Sequence, residues 1–418
     1  MRFRDTFFLT SLQTAVRIIS AIVLNKIIAI YVGPAGLAII GQFNNFAGIV
    51  TGLASGSTQT GIVKKVAESD SKDNRRKIYS NALLIMVTLS LPSSMGVYFF
   101  SESIAELVFY DKSYSGIVQF SAISIIFYCL NMYLLAVLNG LREIPLLTCL
   151  NVSLSIVALV IVSILTGDFG TKGAIIGIMA AQIIVFTLFS AYIWRKYGRE
   201  LFIISKQLIE TTTIKVLLKF GGVTLVSGVL SSITLLLVRT MIIDASSLDM
   251  AGVWEAASKV AVNFNMLFSI PLVMHYLPKF AQLADFGKIG KEIRTIVFIV
   301  VAIAFAIIFI IQYFSYELIV LLFSEEFSSA ASILSLVLAA EVFRIIGGLY
   351  LASFMANQIF LKPIIVDVVF STSYVMFIFL WSYLDKLDLN TVAQSYLFAT
   401  MIYSVMTYAF HKALGMKH

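Results

Sequence analysis

Long apolar stretches alternate with short polar connections over almost the whole chain. Twelve such stretches recur between Phe7 and Phe410, and each is long enough to cross a hydrocarbon core of about 30 Å as a helix. We place the spans at residues 7–32, 37–63, 78–100, 117–139, 146–166, 173–194, 216–243, 250–277, 294–315, 330–356, 364–384 and 392–412. The pattern predicts an all-α integral membrane protein with twelve transmembrane helices.

Composition supports this interpretation. Hydrophobic residues make up 59% of the 418 and charged residues 13%, with a mean hydropathy of +0.94, whereas a soluble domain is about half apolar and a quarter charged. Cys129 and Cys149 both lie inside apolar spans, so no disulfide framework is indicated. The basic start is followed by a long apolar run without a cleavage site, which predicts an uncleaved first helix.

Basic residues are distributed unevenly between alternate connections. Of the 30 Lys and Arg residues, 21 fall on the side of the N-terminus and only Lys112, Lys172 and Lys386 fall on the other side. Cytoplasmic loops carry such an excess, so we predict an inner-membrane protein with both termini in the cytoplasm and an even number of spans. The same distribution explains the net charge of +7 without a nucleic-acid partner.

The longest internal connection divides the spans into two sets of six. Leu201, Ile204, Leu208 and Ile209 recur there at helical spacing beside basic residues, which predicts a helix lying on the cytoplasmic membrane face. We therefore expect an N-terminal six-helix lobe at residues 1–195, an interfacial linker helix at 196–215 and a C-terminal six-helix lobe at 216–418.

Short sequence matches relate the two halves. Ala35-Gly36 opens the second span and Ala251-Gly252 opens the eighth, while residues 139–145 and 357–363 both run from Asn to Pro before the following span. With six spans in each half, the repeat must be parallel. The sequence thus predicts two lobes related by a parallel pseudo-two-fold axis around a central cavity.

Apart from Lys219 at the mouth of the seventh span and the cations counted with the connections, five cations lie inside the predicted spans: Arg17, Lys26, Arg239, Lys259 and Arg344. A charge at the centre of a membrane helix costs about 2.5–3.5 kcal/mol on insertion scales, so it should face a wet cavity or a charged partner. We expect these cations to line a substrate-binding cavity. The competing interpretation is an ion pair with another helix, or extension of the side chain to the interface.

Two acidic residues are placed to pair with these cations. Glu255 lies four residues before Lys259, and Glu341 lies three residues before Arg344, so each pair can close on one helix surface. Both acids are predicted charge partners, and Glu341, near mid-membrane, is also a candidate for coupling transport to a gradient. No metal-ligand set is predicted.

The sign of the buried charge indicates the substrate class. A net cationic cavity suits an anion such as a lipid diphosphate, which Arg and Lys engage through charge-assisted hydrogen bonds. Sugars need polar surfaces, and the second span supplies hydroxyl and amide side chains. Glycines at 48, 52 and 56 form a small-residue stripe, which we interpret mainly as close helix packing.

Missing motifs narrow the function further. The chain has no Walker A sequence and no HExxH motif, so it neither hydrolyses ATP for transport nor carries that zinc site. Its predicted periplasmic connections are short, which leaves little room for an enzyme site. A transporter is therefore favoured over a membrane glycosyltransferase or polymerase.

Four segments resemble a known transporter family. Their sequences are Tyr31-Val-Gly-Pro-Ala-Gly-Leu37, Gly41-Gln-Phe-Asn44, Gly61-Ile-Val-Lys-Lys-Val-Ala67 and Asn139-Gly-Leu-Arg-Glu143. Together they resemble the Wzx-type O-antigen and lipid III flippases, polysaccharide transporters of the multidrug/oligosaccharidyl-lipid/polysaccharide exporter superfamily. The resemblance implies alternating access between two six-helix lobes. It also implies an undecaprenyl-diphosphate-linked oligosaccharide as cargo, carried from the cytoplasmic to the periplasmic leaflet.

Several functional alternatives stay open. The leading expectation is an O-antigen repeat unit as cargo, with lipid III or a capsule repeat unit as alternatives. A cation-coupled exporter of small molecules on the same fold is a further class, although the first span carries only cations where drug exporters often carry an acid. The resemblance implies no bound cofactor, leaves coupling to a proton or cation gradient open, and suggests an O-antigen polymerase and other assembly proteins as partners.

Overall fold

The computed structural model describes residues 3–283, 285–357, 359–384 and 386–415. Thirteen α-helices and no β-strand occur in these ranges. They are α1 (Phe3–Ser55), α2 (Gln59–Glu68), α3 (Lys72–Phe99), α4 (Ser101–Phe109), α5 (Ser115–Gly140), α6 (Ile144–Tyr197), α7 (Thr211–Ala245), α8 (Leu248–Leu283), α9 (Phe286–Tyr313), α10 (Ser315–Leu322), α11 (Leu334–Ala356), α12 (Leu361–Tyr383) and α13 (Leu389–Gly415). Arg2, Gln358 and Lys417, used in the topology and repeat predictions, lie outside the described residues.

Nine of the described helices are long and apolar enough to cross a membrane. Two of the nine, α1 and α6, are each interrupted at one glycine, Gly33 with φ 63° and Gly170 with φ 57°, so each supplies two spans. Helix α13, with 27 residues, also has the necessary length. The described segments therefore provide the twelve expected spans, and the all-α membrane fold is confirmed.

Large apolar side chains cover the outer surface of these helices. On α9, Phe298, Phe305 and Phe309 share one face and expose 78%, 72% and 73% of their area. A water-soluble protein rarely exposes contiguous apolar area of this kind, whereas a lipid-facing surface requires it. The exposure pattern therefore agrees with a multi-pass membrane protein.

The interruption of α1 is stabilised by residues from α8. Gly33 adopts the left-handed conformation that glycine tolerates, and Pro34 starts the second half of the helix. The Asp249 carboxylate accepts a hydrogen bond from the Ala35 backbone N–H at 3.1 Å, satisfying one of the donors left over at a helix start. A Cβ at Gly252 would lie 1.9 Å from the Pro34 carbonyl oxygen, so only glycine permits this approach.

The chain separates into two compact units. Unit 1 comprises Met1–Val32 and Ile39–Ser232, and unit 2 comprises Gly33–Ala38 and Ile233–His418. Residues 33–38 thus belong to unit 2 although the chain on either side of them belongs to unit 1. The boundary of the units falls inside α7, and the lobe limits at 195 and 216 stay a prediction.

The connection between α6 and α7 is not a helix on the membrane face, so that prediction is wrong. It consists of two 3-10 turns, Gly198–Leu201 and Lys206–Leu208, separated by extended chain. Leu201 is 2% exposed and belongs to the apolar core of unit 1 rather than to a lipid-facing stripe. Its carbonyl accepts a hydrogen bond from the Tyr133 hydroxyl at 2.6 Å.

Polar side chains of α3 form hydrogen bonds with backbone groups of this connection that a helix would otherwise satisfy. The Asn81 amide donates to the Leu208 carbonyl at 2.8 Å and accepts from the Glu210 N–H at 2.9 Å. Lys77 pairs with Glu210 at 2.5 Å, and its hydrogen bond holds the pKa of that carboxyl below its ordinary value. The backbone groups are thus satisfied without a helix.

Each unit contains the same arrangement of a long helix, a short helix and a second long helix. In unit 1, α4 lies between α3 and α5 along the chain, and the ring of Phe109, its last residue, stacks on that of Tyr114 with 4.7 Å between the ring centres. In unit 2, α10 lies between α9 and α11, and the Phe323 and Phe327 rings lie 5.4 Å apart. This similarity agrees with the predicted internal repeat.

Candidate transport site

Two of the predicted site cations lie on the first half of α1, in unit 1. Arg17 is exposed and Lys26 is half-buried. Nine residues of helix separate them, which is about 13 Å along the axis. The sequence from Thr6 to Ala67 contains no acidic residue, so the part of α1 that carries Arg17 and Lys26 has no acid of its own.

In unit 2, Arg239 of α7 and Glu255 of α8 form a buried ion pair. Their side chains are 5% and 12% exposed. Lys259 lies one turn after Glu255 and interacts electrostatically with both Glu255 and Arg239. Glu255 therefore lies between two cations, whereas the sequence predicted that it would pair with Lys259 alone.

A second polar network surrounds Glu341 of α11. Its carboxylate accepts hydrogen bonds from the Asn265 amide at 2.7 Å and from the Tyr396 hydroxyl at 2.5 Å. Arg344 donates to the same Tyr396 oxygen at 2.9 Å, and its guanidinium lies 5.4 Å from the centre of the Phe370 ring. The predicted Glu341–Arg344 pairing is thus mediated by a tyrosine rather than by a direct ion pair.

Aromatic side chains bring the two networks of unit 2 together. The Tyr374 ring lies 5.4 Å from that of Tyr396, and Tyr374 interacts electrostatically with both Arg239 and Arg344. The Tyr374 hydroxyl is buried and has no hydrogen-bond partner among the described residues. Tyr403 interacts electrostatically with Arg344, Glu341 and also Asp367. Three cations and three carboxylates therefore share this region, and their formal charges balance.

The sequence did not indicate the neutral members of this site. Asn265, Tyr374 and Tyr396 were predicted only as parts of apolar spans, because a single amide or hydroxyl inside a span does not reveal its partner. Tyr396 lies 55 residues after Glu341 in the chain. Only the packing of α11 against α13 brings them together.

Unit 1 contains a polar cavity of about 270 Å³ bounded by the second half of α1, by α2, by α5 and by α7. Its lining includes no charged side chain, and apart from three glycines and Val229 it consists of hydroxyl and amide residues: Thr51, Ser55, Ser57, Gln59, Thr60, Tyr128, Thr224 and Ser232. A neighbouring cavity of about 210 Å³ shares Gly48, Thr51 and Tyr128 with it. The polar residues predicted on the second span thus border water-accessible space.

The glycine stripe of α1 packs closely, as predicted. A Cβ at Gly48 would lie 2.8 Å from the Ser232 hydroxyl oxygen, and one at Gly52 would lie 3.4 Å from Val229. Gly56 approaches more closely still, since its carbonyl oxygen lies 2.1 Å from the position of a Cβ at Gly221. Small residues therefore let α1 and α7 approach one another in unit 1.

The described residues contain no cluster of three or more His, Cys, Asp or Glu side chains that could hold a metal ion. Unit 1 carries Arg17, Lys26 and the neutral polar cavity, and unit 2 carries the cations Arg239, Lys259 and Arg344. Arg and Lys side chains are suited to anions, and hydroxyl and amide side chains to polar solutes.

These features define a multi-pass membrane protein, and its relatives indicate a transporter rather than an enzyme. Residues 3–284 match the family model described as polysaccharide biosynthesis protein, and the chain belongs to that family. The family expected from the resemblance to polysaccharide transporters is thereby confirmed.

Two curated relatives cover most of the chain. Proteins named lipid III flippase from Escherichia coli (strain K12) and from Shigella flexneri are each 22% identical over 342 residues. The alignment covers 80% of this chain and 81% of each relative, so it extends through both units.

Solved structures confirm the fold over nearly the full length. An inward-facing multidrug resistance MATE family transporter of the MOP superfamily matches with a TM-score of 0.80 at 17% identity, covering 96% of this chain and 95% of that chain. A MOP superfamily transporter from Pyrococcus furiosus, described as having a binding pocket of reversed polarity, matches with a TM-score of 0.73 at 15% identity, covering 98% and 95%.

Proposed function

We propose that this protein is a flippase that moves undecaprenyl-diphosphate-linked oligosaccharide from the cytoplasmic to the periplasmic leaflet of the bacterial inner membrane. One observation carries the proposal: a chain aligned over 342 residues with proteins named lipid III flippase bears five cations on its membrane helices. Phosphate groups are the anions that Arg and Lys recognise best, and a lipid anchor keeps such a substrate in the bilayer.

In this proposal the protein works by alternating access, and the cations bind the diphosphate head. Arg17 and Lys26 make the first contacts, and Arg239, Lys259 and Arg344 make further contacts. The lipid tail stays in the bilayer while the head group crosses. The head must bind the two conformations with different affinity, because a ligand shifts an equilibrium only through such a difference.

Glu255 and Glu341 serve as charge partners that hold the cations of unit 2 in position. Their hydrogen bonds and ion pairs orient Arg239 and Arg344, as the buried contacts suggest. We also propose coupling to a proton or cation gradient as the energy source, with Glu341 as the candidate carrier. No bound cofactor is required.

The cargo proposed first is an O-antigen repeat unit, as expected from the sequence. Lipid III is the second candidate, and the name of the two curated relatives favours it. Both cargoes share the lipid diphosphate, so the same cations serve either one. With both termini in the cytoplasm, the flippase would deliver its cargo to an O-antigen polymerase or to other assembly proteins on the periplasmic side.

The competing function is export of small cationic molecules, which the MATE fold supports. That function calls for an acidic site, whereas residues 7–32, which include Arg17 and Lys26, carry only cations. The sign of the charge therefore favours an anionic cargo.

Deletion of the gene in its own host tests the proposal. Lipopolysaccharide gels and an immunoblot for enterobacterial common antigen should then separate the cargoes. Loss of the O-antigen ladder identifies the first cargo, and loss of the common antigen identifies lipid III. If both polymers persist and only drug sensitivity changes, the flippase proposal fails and the exporter takes its place.

A further inference from the structure

The polar cavity of unit 1 presents hydrogen-bonding groups that the protein itself does not use. Among the described residues, the side chains of Gln59, Thr60, Tyr128, Thr224 and Ser232 all border this cavity, and none of them hydrogen-bonds another described residue. None of the five is fully buried, so each is accessible to water or to a ligand that enters this space.

The lining chemistry selects an uncharged polyhydroxylated ligand. Hydroxyl and amide groups both donate and accept, so they match the vicinal hydroxyls and acetamido groups of a pyranose. No cation is present to hold a phosphate, and no carboxylate is present to hold an amine. The Tyr128 ring adds one apolar surface against which a sugar ring can lie.

One glycine of the cavity, Gly228, gives a ligand close access to the backbone. Gly48, Gly52 and Gly228 all border it, and Gly228 faces open space, with no atom within 4 Å of an added Cβ. The volume of about 270 Å³ is near the lower end of the ~300–1,000 Å³ typical of small-molecule sites. The cavity therefore suits one sugar residue with room for bound water.

We infer that this cavity is a sugar-binding subsite, in which Gln59, Thr224 and Ser232 hydrogen-bond a pyranose of the cargo while the cations hold the diphosphate. The inference rests on the proposed flippase function and adds to it. Different parts of the protein thereby bind different parts of the cargo: the cations of the membrane helices bind the diphosphate, and the neutral cavity binds the sugar.

Two glycine substitutions on α7 distinguish the effect of filling the cavity from a general effect of a larger side chain on this helix. In Gly228→Leu the new side chain enters the cavity, and nothing within 4 Å opposes its Cβ. Gly222→Leu is the matched control, because Gly222 also faces open space on α7 but does not border the cavity. Gln59→Leu and Thr224→Val remove the hydrogen-bonding groups alone, and Thr187→Val on α6 is their control outside the cavity.

The full chain in nanodiscs is titrated by native mass spectrometry with undecaprenyl diphosphate and with undecaprenyl diphosphate N-acetylglucosamine. We expect wild type and both controls to bind the sugar-bearing lipid about tenfold more tightly, as two net hydrogen bonds would give. Gly228→Leu, and Gln59→Leu combined with Thr224→Val in one chain, should bind both lipids equally, with unchanged affinity for undecaprenyl diphosphate. Gln59→Leu or Thr224→Val alone should keep about a threefold preference, since one of the two hydrogen bonds remains.

Other results overturn the inference in distinguishable ways. If wild type binds both lipids equally, or if the cavity variants keep the preference, the sugar subsite is wrong and the flippase proposal stands. If the cavity variants lose affinity for both lipids to the same extent, the cavity is structural. If wild type binds neither lipid, the flippase proposal fails together with the subsite.

Discussion

Arg239 and Glu255 form an ion pair between α7 and α8 with both side chains almost fully buried. The Glu255 carboxylate also interacts electrostatically with a second cation, Lys259. One carboxylate thus balances two cations in unit 2. Glu255 is therefore the residue on which the charge balance of this region depends.

Removing Glu255 should destabilise the protein more than removing Arg239. Glu255→Leu leaves Arg239 and Lys259 as neighbouring like charges, whereas Arg239→Leu leaves Glu255 beside Lys259. Breaking a buried pair from one side costs about 3–5 kcal/mol, and we expect Glu255→Leu to reach that range and Arg239→Leu to fall below it. Thermal unfolding of the purified variants in detergent measures the order, and the reverse order would contradict this account.

Loss of the Tyr396 hydroxyl should destabilise unit 2. Tyr396→Phe keeps the ring but removes hydrogen bonds to Glu341 and from Arg344, at a cost of about 1–3 kcal/mol. Tyr403→Phe on the same helix is the control, because the Tyr403 hydroxyl makes no hydrogen bond with a described residue. Chemical denaturation should show a loss for the first variant only; equal midpoints would show that the network contributes nothing.

A methyl group at Gly252 should disrupt the contact between α8 and the start of the second half of α1. The Cβ would lie 1.9 Å from the Pro34 carbonyl oxygen, so backbone must move, and overpacking typically costs about 1–3 kcal/mol. Gly348→Ala is the control, because nothing lies within 4 Å of its Cβ. Thermal stability of the two variants should diverge. Equal stability would mean that α8 does not restrict this position.

Arg17→Ala should abolish transport while leaving membrane insertion intact. The exposed guanidinium is proposed to hold a phosphate, and Arg17→Lys should keep part of the activity because Lys supplies the charge without the planar donor geometry. Thr14→Ala on the same helix is the control, since its hydroxyl bonds only to its own backbone turn. Complementation of the deletion strain reads out transport. Normal polymer levels with Arg17→Ala would remove Arg17 from the site.

The spans could be predicted because each depends on local composition. The predicted connections at 33–36 and 167–172 coincide with the breaks at Gly33 and Gly170, where apolar sequence is interrupted by residues that allow a positive φ. The short helices α4 and α10 were not predicted. Each is too brief to show a clear apolar period.

The linker prediction failed for a different reason. Leu201 and its neighbours have helical spacing, but the side chains of Tyr133 and Asn81 satisfy their backbone from distant positions in the chain. Such tertiary hydrogen bonds override a local pattern of only four apolar residues. Spacing alone cannot distinguish a lipid-facing stripe from residues that enter a core.

For the site, the charges could be predicted but their partners could not. Intramembrane Lys, Arg and Glu are conspicuous in an apolar sequence. Their contacts depend on helix packing, so Arg239 rather than Lys259 pairs directly with Glu255. His411, which no sequence pattern singled out, illustrates the same limit: it is buried and contacts Ser353 at 3.2 Å and the Phe286 carbonyl at 3.1 Å.

The most direct test of the proposed function is the leaflet distribution of lipid-linked oligosaccharide. Spheroplasts of the deletion strain, carrying either wild type or Arg17→Ala, are treated with an impermeant glycan-labelling reagent, and the labelled fraction of the lipid pool is measured. The account predicts labelled, periplasm-facing lipid with wild type and an unlabelled, accumulated cytoplasmic pool with the deletion or with Arg17→Ala. Equal labelling in all three strains would show that this protein does not move the lipid.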